Sequence, residues 1–316
     1  IMEMDFSLLR DRVGKTHMYA RMFPDAKLKV IEALKANKEV VAMTGDGVND
    51  APALKASHIG VAMGMRGSEV AKSAASLIIM DDDLYHMTEA VALGRKIYEN
   101  LKKAIQYIIS IHIPIILIVT LPLILFWKFY DIFSPIHVIV LELIMGPTCS
   151  IIYENEPMEE NYMKKPPRKM STTFFSFREL SISILQGLAI TISCLGVGYF
   201  YLSGNYSEEQ VRTVIYTTLI FSNLFLTLTN RSFYYSIFRT IRYKNILIPI
   251  ILTVSLIILF ASIYLNPVQQ LFRFEALGII DIARCLLFSF IGVMWIELYK
   301  FYKRKSGPIQ LSYQPK

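Results

Sequence analysis

The sequence has few charged residues and few cysteines. Asp, Glu, Lys and Arg make up 19% of its 316 residues, 53% are hydrophobic, and the mean hydropathy is +0.41. This composition excludes a single soluble domain. The cysteines, Cys149, Cys194 and Cys285, lie far apart in or beside apolar runs, so neither a disulfide framework nor a zinc spacing is predicted. The sequence begins at Ile1 and shows neither a signal peptide nor an initiating Met, and we expect it to be a piece of a longer protein.

Charge of both signs is distributed unevenly on the two sides of Asn100. Residues 1–99 hold 13 basic and 14 acidic residues, whereas residues 100–316 hold 20 basic and 12 acidic residues. The net charge of +7 therefore arises in the apolar part, where Lys and Arg flank long apolar runs. This arrangement is typical of the cytoplasmic loops of a membrane protein and argues against nucleic-acid binding.

Six apolar segments are each roughly as long as a bilayer-spanning helix requires. They are residues 104–127, 135–153, 180–202, 213–228, 246–265 and 282–302. Lys and Arg are concentrated in two of the connections and in the C-terminal tail, so the positive-inside rule predicts that both termini are cytoplasmic. We predict a multi-pass protein of the cell membrane, with residues 1–99 as a cytoplasmic domain and residues 100–316 as an all-α bundle of six transmembrane helices.

Before Asn100, short segments rich in β-branched residues alternate with segments whose apolar residues recur with the periodicity of a helix. We predict strands at His17–Met22, Val40–Met43, Ile59–Met63 and Leu77–Met80, and helices at Asp25–Ala36, Asp50–Ala56 and Ser68–Ala75. Alternation at this spacing predicts a parallel, doubly wound α/β sheet, with a ligand site at the carboxyl ends of the strands. Pro24 suits the first turn of a helix, where its missing N–H costs nothing.

The segment TGDGVNDAPALK, residues 44–55, follows the predicted strand Val40–Met43. It brings Asp46, Asn49 and Asp50 close to two glycines at a strand end. Hard oxygen ligands in this setting suit Mg²⁺, which keeps several waters and bridges to phosphate. The simpler alternative is a tight turn with an Asp cap on the next helix. Lys27, on the first turn of the helix after Pro24, is either a solvated lysine or a point charge that reaches the same phosphate.

The segment TGDGVNDAPALK, preceded by YARMFPDAKLKVIEAL and followed by IGVAMG and GRKIYENLKKAIQYIIS, resembles the P-type cation-transporting ATPases. The resemblance is strongest to the branch of calcium, sodium and proton pumps, and it covers essentially the whole chain. It implies a phosphorylation domain of the haloacid dehalogenase (HAD)-like type, Mg²⁺ as cofactor and ATP as the substrate of the full-length enzyme. The lipid bilayer, a transported cation and the N-terminal part of the same pump are the implied partners.

The resemblance also implies roles for individual residues. Asp46 corresponds to the family's Mg²⁺ ligand, and Asp50 to the acidic partner that supports the metal and phosphate site. Asn49 corresponds to the Asn that contacts the phosphate, and Lys27 to the lysine that contacts the aspartyl phosphate. Two further residues belong to the phosphate-side turn, namely Thr44 and Gly45.

Several family motifs are missing from this sequence. DKTGT, which holds the phosphorylated Asp, does not occur, and neither do TGE, the nucleotide-binding domain or a PEGLP-type helix. The chain therefore resembles a C-terminal portion, and we do not expect ATPase activity from these residues alone. We interpret it as the hinge and membrane portion of an ATP-driven cation pump. The alternatives are a membrane-anchored regulatory fragment without ATP turnover and, more weakly, a membrane-bound phosphatase.

The apolar part carries few polar groups at membrane depth. Glu142 is the strongest candidate for an ion site, because a carboxyl group inside a span costs about 2.5 kcal/mol or more and usually faces a functional cavity. Further candidates for ion transport are His112, Thr148 and Cys149. Pro114 and Pro147 interrupt their spans near the midplane, and Pro147 is expected to free carbonyls near Met145 and Gly146 that could face an ion.

Each of these residues also has a structural alternative. The prolines could only kink their helices, and Thr148 and Cys149 could be small packing residues that hydrogen-bond back to the helix. His112 could be a neutral histidine that a neighbouring helix satisfies. Asn223 and Gln186 are expected to hydrogen-bond between helices rather than to bind an ion.

The candidate ion site departs from the pattern of the calcium pumps. His112 and Glu142 stand where the family has Asn residues. Other oxygen-bearing positions of the family are occupied here by Ile115, Met145, Gly146 and Ile220. Losing those oxygens argues against a two-calcium site, because Ca²⁺ takes about six to eight oxygen ligands. Glu142 paired with His112 would suit a proton or another monovalent ion, and His112 with Cys149 would suit a softer metal.

Overall fold

The computed structural model describes residues 1–129, 131–159, 162–163, 167 and 173–305, without the side chains of residues 149 and 150. The described chain divides into two compact units. One is formed by residues Ile1–Gly94 and the other by most of the chain from Arg95 onward.

The first unit is built on a small parallel sheet. Its strands are β1 (Ala42–Gly45), β2 (Ile59–Met63) and β3 (Leu77–Ile79), which lie side by side in chain order. Helix α3 (Ala51–Ala56) connects β1 to β2, and α4 (Glu69–Ala74) connects β2 to β3. The predicted parallel α/β arrangement is confirmed. The described strands follow one another across the sheet in the order β1-β2-β3. A doubly wound sheet requires a point at which this strand order reverses, and the described strands do not include one.

Register and helix packing hold the end of β1 in place. Thr44 pairs with Val61 in the parallel ladder of β1 and β2. Before the sheet come α1 (Phe6–Val13), which the sequence interpretation missed, and α2 (Pro24–Ala36), with Pro24 in its first turn as predicted. Buried side chains of α1 and α2 form one small cluster, namely Leu9, Val13, Val30 and Ala33.

The strand predicted at His17–Met22 is wrong. These residues form no strand, and Arg21 has a φ of 53°, in the left-handed region that a β-strand does not use. Met18 is 88% exposed. The apolar side chains that suggested a strand therefore do not cover a sheet face in the described chain.

The second unit is helical. Its first helix is the C-terminal part of α5 (Tyr85–Ile124), a 40-residue helix that remains unbroken at Pro114. The helices that follow are α6 (Pro135–Pro147), α7 (Phe177–Ser203), α8 (Glu208–Thr229), α9 (Ile237–Thr240), α10 (Leu247–Tyr264), α11 (Asn266–Phe272) and α12 (Ile279–Lys305). By length and composition, α5, α7, α8, α10 and α12 could each cross a membrane.

The second of the six predicted spans differs from the others. Helix α6 has 13 residues, fewer than a membrane span needs, and a π-helical segment (Thr148–Ile152) continues it. Pro147 has no N–H to donate one turn back, which explains why the regular α-helix ends there. Thr148 donates its N–H to the main-chain carbonyl of Met145. That carbonyl is therefore hydrogen-bonded, contrary to the prediction that Pro147 would leave it free.

Helix α8 lies in the centre of the second unit, and Asn223 on this helix and Asn230 at its C-terminal end have hydrogen-bond partners on neighbouring helices. The Tyr107 hydroxyl donates to Asn223. Gln186 donates to Asn230 at 2.8 Å and accepts from the Ser110 hydroxyl at 3.2 Å. The predicted role of Asn223 and Gln186 as hydrogen-bonding groups between helices is therefore confirmed.

Candidate functional site

The loop after β1 is shaped by a close approach between Gly45 and Asp50. A Cβ built on Gly45 would lie 2.5 Å from the Cβ of Asp50, closer than real Cβ contacts allow. Only glycine therefore fits at the end of β1. A single 3₁₀ turn (Val48–Asp50) then leads into α3 and places Asp50 under the strand end, where it is buried.

Lys27 and Asp50 form the central contact of this loop. The Lys27 ammonium group, on the first turn of α2, donates to Asp50 Oδ1 at 2.5 Å, and the Gly47 N–H donates to Asp50 Oδ2 at 3.2 Å. The Asp50 side chain is 10% exposed and that of Lys27 31%. Both carboxylate oxygens of Asp50 are thus engaged. The structure brings together two residues that lie 23 positions apart and that the sequence assigned to one site.

The environment of Asp50 favours its ionised form. Burial alone would raise the pKa of Asp50. The hydrogen bonds from Lys27 and Gly47, together with the charge of Lys27, outweigh burial and hold the pKa below its ordinary value of 3.8. At neutral pH the loop therefore contains a fixed Lys27–Asp50 ion pair rather than two independent charges.

The other predicted loop residues lie on the exposed side of the strand end. Thr44, Asp46 and Asn49 are exposed. The main-chain carbonyl of Asp46 accepts the N–H of Ser68 at 2.8 Å, which fixes the backbone of Asp46 and leaves its carboxylate exposed. Ser68, the N-cap of α4, was not predicted as a site residue. Its signal was present, because a Ser before a helix commonly caps it.

Mg²⁺ fits this edge of the sheet through the exposed carboxylate of Asp46. In the described part of the chain, no three His, Cys, Asp or Glu side chains form a group that could enclose a metal ion. Mg²⁺ does not require such a cage, because proteins commonly hold it with one or two carboxylates, waters and phosphate oxygens. Asp50, whose oxygens are both occupied, fits a supporting role beside Asp46.

The predicted membrane residues also form a pair. His112 Nε2, on α5, lies 3.0 Å from Glu142 Oε1, on α6, and the two side chains are 41% and 47% exposed. His112 Nδ1 lies 2.8 Å from the main-chain oxygen of Ile108 and must donate to it.

The remaining ion-site candidates are less well positioned or lie outside the description. The Thr148 hydroxyl is buried and donates to the carbonyl of Ile144 at 3.3 Å, within its own helix. The side chain of Cys149 lies outside the described part of the structure. The geometry therefore joins His112 to Glu142 and adds no contact of Thr148 to that pair.

Family profiles match both units. The profile for the C-terminus of cation-transporting ATPases matches residues 131–302, and the profile for haloacid dehalogenase-like hydrolases matches residues 3–58. The chain belongs to the cation-transporting ATPase family. It is thus an integral membrane protein of that family, and the HAD-like match covers the loop with Lys27, Asp46 and Asp50.

Individual cation-transporting ATPases align with nearly the whole chain. It is 32% identical over 311 residues to calcium-transporting ATPase 1 of Schizosaccharomyces pombe, an alignment covering 98% of this chain and 34% of that protein. It is 35% identical over 282 residues to human calcium-transporting ATPase type 2C member 2, covering 87% and 29%. A Bacillus cereus calcium-transporting ATPase 1 is 30% identical over 312 residues, covering 94% and 35%. The chain spans about a third of the length of these curated relatives.

Proposed function

We propose that this chain is the hinge and membrane portion of a longer ATP-driven cation pump that couples aspartyl-phosphate turnover to ion movement. The observation that carries the proposal is the Lys27–Asp50 pair held at 2.5 Å beside the exposed Asp46, at the carboxyl end of β1. Ligand sites of parallel α/β sheets lie at that end of the strands. Family membership, found independently of this geometry, points to the same function.

In the proposed reaction, this chain positions a phosphoryl group that an Asp in another part of the pump receives from ATP. Asp46 would hold Mg²⁺, which offsets the negative charge of the phosphoryl oxygens when bound. Lys27 and Asn49 would contact those oxygens directly, while Asp50 keeps the Lys27 ammonium group at the strand end. Thr44 and Gly45 form the turn against which the phosphoryl group would lie.

His112 and Glu142 are the proposed ion-binding pair of the membrane part. A carboxyl group on a membrane-spanning segment is costly unless it faces a partner or a polar cavity, and here it faces an imidazole at 3.0 Å. His112 lies on α5, whose residues begin six positions after β3 ends, so one helix connects the HAD-like sheet to the ion pair along the chain. We propose that α5 transmits the phosphorylation state to this pair.

The proposed orientation follows from charge. Lys and Arg concentrated in two connections and in the C-terminal tail would place both termini in the cytoplasm, in a pump of the cell membrane. The relatives are named as calcium-transporting, whereas the residues of this chain also suit a proton, another monovalent ion or a softer metal. A panel of these ions, tested on the ATPase activity of the complete pump, would identify the transported cation.

Substitution of Asp46 tests the proposed function most directly. In the full-length pump, Asp46→Asn should reduce Mg²⁺-dependent phosphoenzyme formation at least about 100-fold, because an amide is a poor ligand for Mg²⁺. Acid-stable ³²P incorporation from labelled ATP measures it. Asp11→Asn is the matched control, since Asp11 is an exposed carboxylate on α1 whose described partner is Lys15 at 2.9 Å. Normal phosphorylation of Asp46→Asn would refute the role of Asp46.

A further inference from the structure

A buried histidine joins the beginning of α6 to the end of α11. His137, in the first turn of α6, is 2% exposed. Its Nε2 lies 2.9 Å from the main-chain oxygen of Phe272, the last residue of α11. The contact therefore connects two parts of the chain that are 135 positions apart. The proposed function assigns no role to His137.

The hydrogen bonds of His137 fix its protonation state. A main-chain oxygen can only accept, so Nε2 must carry a proton and donate to Phe272. Nδ1 lies 3.1 Å from the main-chain nitrogen of Ser134, which can only donate, so Nδ1 must accept. The Ser134 hydroxyl lies 2.8 Å from Nδ1 and can donate to it as well. His137 is therefore a neutral imidazole with its one proton on Nε2.

A second proton on His137 would remove an acceptor that Ser134 needs. The Ser134 hydroxyl can turn to accept a new N–H on Nδ1, but the main-chain N–H of Ser134 cannot reverse and would face another donor. The ring is also enclosed by four aromatic side chains whose centroids lie 5.1–5.9 Å away, namely Phe133, Tyr216, Phe272 and Phe274. These rings replace the water that would hydrate an imidazolium ion. The contacts therefore fit the neutral imidazole and not the charged one.

A cationic side chain binds the same two segments of the chain. Arg212, on α8, donates to the main-chain oxygens of Asp131 and Ile132 before α6, each at 2.9 Å. It also donates to the main-chain oxygen of Arg273 after α11, at 3.2 Å. Arg212 is 5% exposed, and its charge repels a second proton on His137. The Asp131 carboxylate has the opposite sign but is exposed, so water screens it.

The other charged and titratable side chains of these segments do not pair with His137. They are Glu208, Tyr216, Arg273 and Glu275. Glu208 lies 3.5 Å from Arg212 Nη2, and Glu275 accepts the hydroxyl of Ser207. The side chain of Arg273 is exposed, and a phenol such as that of Tyr216 is neutral below about pH 10. Within the described ranges, no carboxylate forms an ion pair with His137.

We propose that His137 makes the attachment of α6 to α11 sensitive to pH. The attachment is closed while the imidazole is neutral and opens when a second proton binds. Arg212 keeps its charge and holds the main chain of both segments, so the opening is confined to the beginning of α6. Glu142 follows five residues later, about 7.5 Å along the same helix, so acid would loosen the helix that carries the proposed ion site. The opening rests on the contacts of His137, whereas the position of this end outside the cell rests on the proposed orientation.

Hydrogen exchange of the complete pump in detergent, read by mass spectrometry between about pH 7.5 and 4.5, tests the opening. Each rate is divided by the intrinsic amide exchange rate at the same pH, which leaves the fraction of open molecules. A free imidazole has a pKa of about 6.5. Because only the open form is proposed to bind the second proton, the open fraction of residues 131–138 and 269–274 should rise about tenfold per pH unit below that value. Residues 187–197, in the middle of α7, are the internal reference and should show no rise.

His137→Gln supplies the matched variant. The glutamine amide can still donate to Phe272 and accept from Ser134 but takes up no proton, so this variant should keep its protection at acidic pH. His17→Gln, which removes an exposed histidine of the first unit, should behave as the wild type. An equal rise in His137→Gln or in residues 187–197 would overturn the proposal. Constant protection in the wild type would overturn it too, because the aromatic rings would then accommodate the charged imidazole.

Two features keep the test decisive. If His137→Gln fails to fold, the wild-type profile is still judged against its internal reference. The measurement uses neither ATP nor a transported ion, so a negative result leaves the proposed pump function standing, and a failure of that function leaves the result on His137 unchanged.

Discussion

The Lys27–Asp50 contact and the His112–Glu142 contact each join a basic to an acidic side chain, but they are enclosed to very different degrees. The carboxylate of Asp50 is 10% exposed and engaged at both oxygens, whereas that of Glu142 is 47% exposed and has one described partner. The Asp50 contact is 2.5 Å long and that of Glu142 3.0 Å. The Asp50 carboxylate is therefore satisfied within this chain, whereas the His112–Glu142 contact presents much of its polar surface outward.

This difference indicates where further protein is required. A polar pair that is nearly half exposed on apolar helices would be expensive against hydrocarbon. Glu142 and His112 are therefore expected to face other helices of the full pump or a hydrated cavity. For the sheet-edge loop, the proposed function instead requires that another part of the pump supply the residue that receives the phosphate. Substitutions in the two sites should consequently affect different steps of the proposed cycle.

The largest expected effect that separates the two sites comes from Glu142→Gln. In the full pump it should reduce ion-stimulated ATPase turnover more than about 100-fold, because the neutral amide is a poorer ligand for a cation than a carboxylate is. Phosphorylation from inorganic phosphate, which we propose to depend on the Asp46 loop, should remain. Measurement of both activities in the same membranes checks this, and unchanged ion dependence would remove Glu142 from the transport site.

Sequence reasoning was most successful where a motif and a periodicity coincided. The loop after β1, the strand Ile59–Met63 and the start of α2 at Pro24 were all predicted, because glycines, β-branched runs and a helix-starting proline act locally. The false strand at His17–Met22 has apolar residues but no partner strand in the described chain, and pairing is a tertiary property. The partner of Lys27 could not be read from spacing for the same reason.

The membrane half shows the same limit. Helical spans follow from apolar length, which is why all the predicted segments are helical. Pro114 and Pro147 carry the same local signal, yet α5 remains continuous and α6 changes to a π-helix. The outcome depends on how each helix re-pairs its carbonyls, as Thr148 does with Met145. Sequence alone therefore located the prolines but not their consequences.

Gly45→Ala has the next largest expected effect and tests how tightly the loop after β1 packs around Asp50. Its Cβ would meet that of Asp50 at 2.5 Å, so we expect a loss of about 1–3 kcal/mol in stability and a matching loss of phosphoenzyme. Gly47→Ala is the control, since its Cβ would lie 3.7 Å from Asp50 Oδ2, an ordinary contact. Thermal unfolding of both variants measures the difference. Equal midpoints would mean that the loop is not tightly packed around Asp50.

Asp50→Asn tests the ion pair itself and carries a defined pH dependence. We expect the free energy of unfolding to fall by about 1.5 kcal/mol at neutral pH, because the substitution removes the charged hydrogen bond from Lys27 to a carboxylate. The pKa of Asp50 is lowered by folding, so its contribution is fully present above its ordinary value of 3.8 and disappears as the pH falls through the folded value.

Thermal unfolding of wild type and Asp50→Asn across acidic pH checks this sign. The gap between their midpoints should be constant above about pH 5 and narrow below pH 3.8, the ordinary pKa of the group. Glu69→Gln is a suitable control, because Glu69 is 90% exposed and its described partner is Lys72 within α4. A gap that widened on acidification would contradict the ionised state assigned to Asp50.

The smallest expected effect comes from Thr148→Val, which tests whether the proposed ion site at His112 and Glu142 extends to Thr148. Thr148→Val removes a hydroxyl that already donates to Ile144 in its own helix, so ion-stimulated turnover should change less than about twofold. Thr120→Val is the matched control, since Thr120 makes the same kind of contact with Ile116 at 2.9 Å. Titration of ATPase activity with the transported cation compares the two variants. A change in the cation dependence of Thr148→Val alone would mean that the Thr148 hydroxyl leaves Ile144 to reach the ion. The ion site would then extend from His112 and Glu142 to the turn after Pro147.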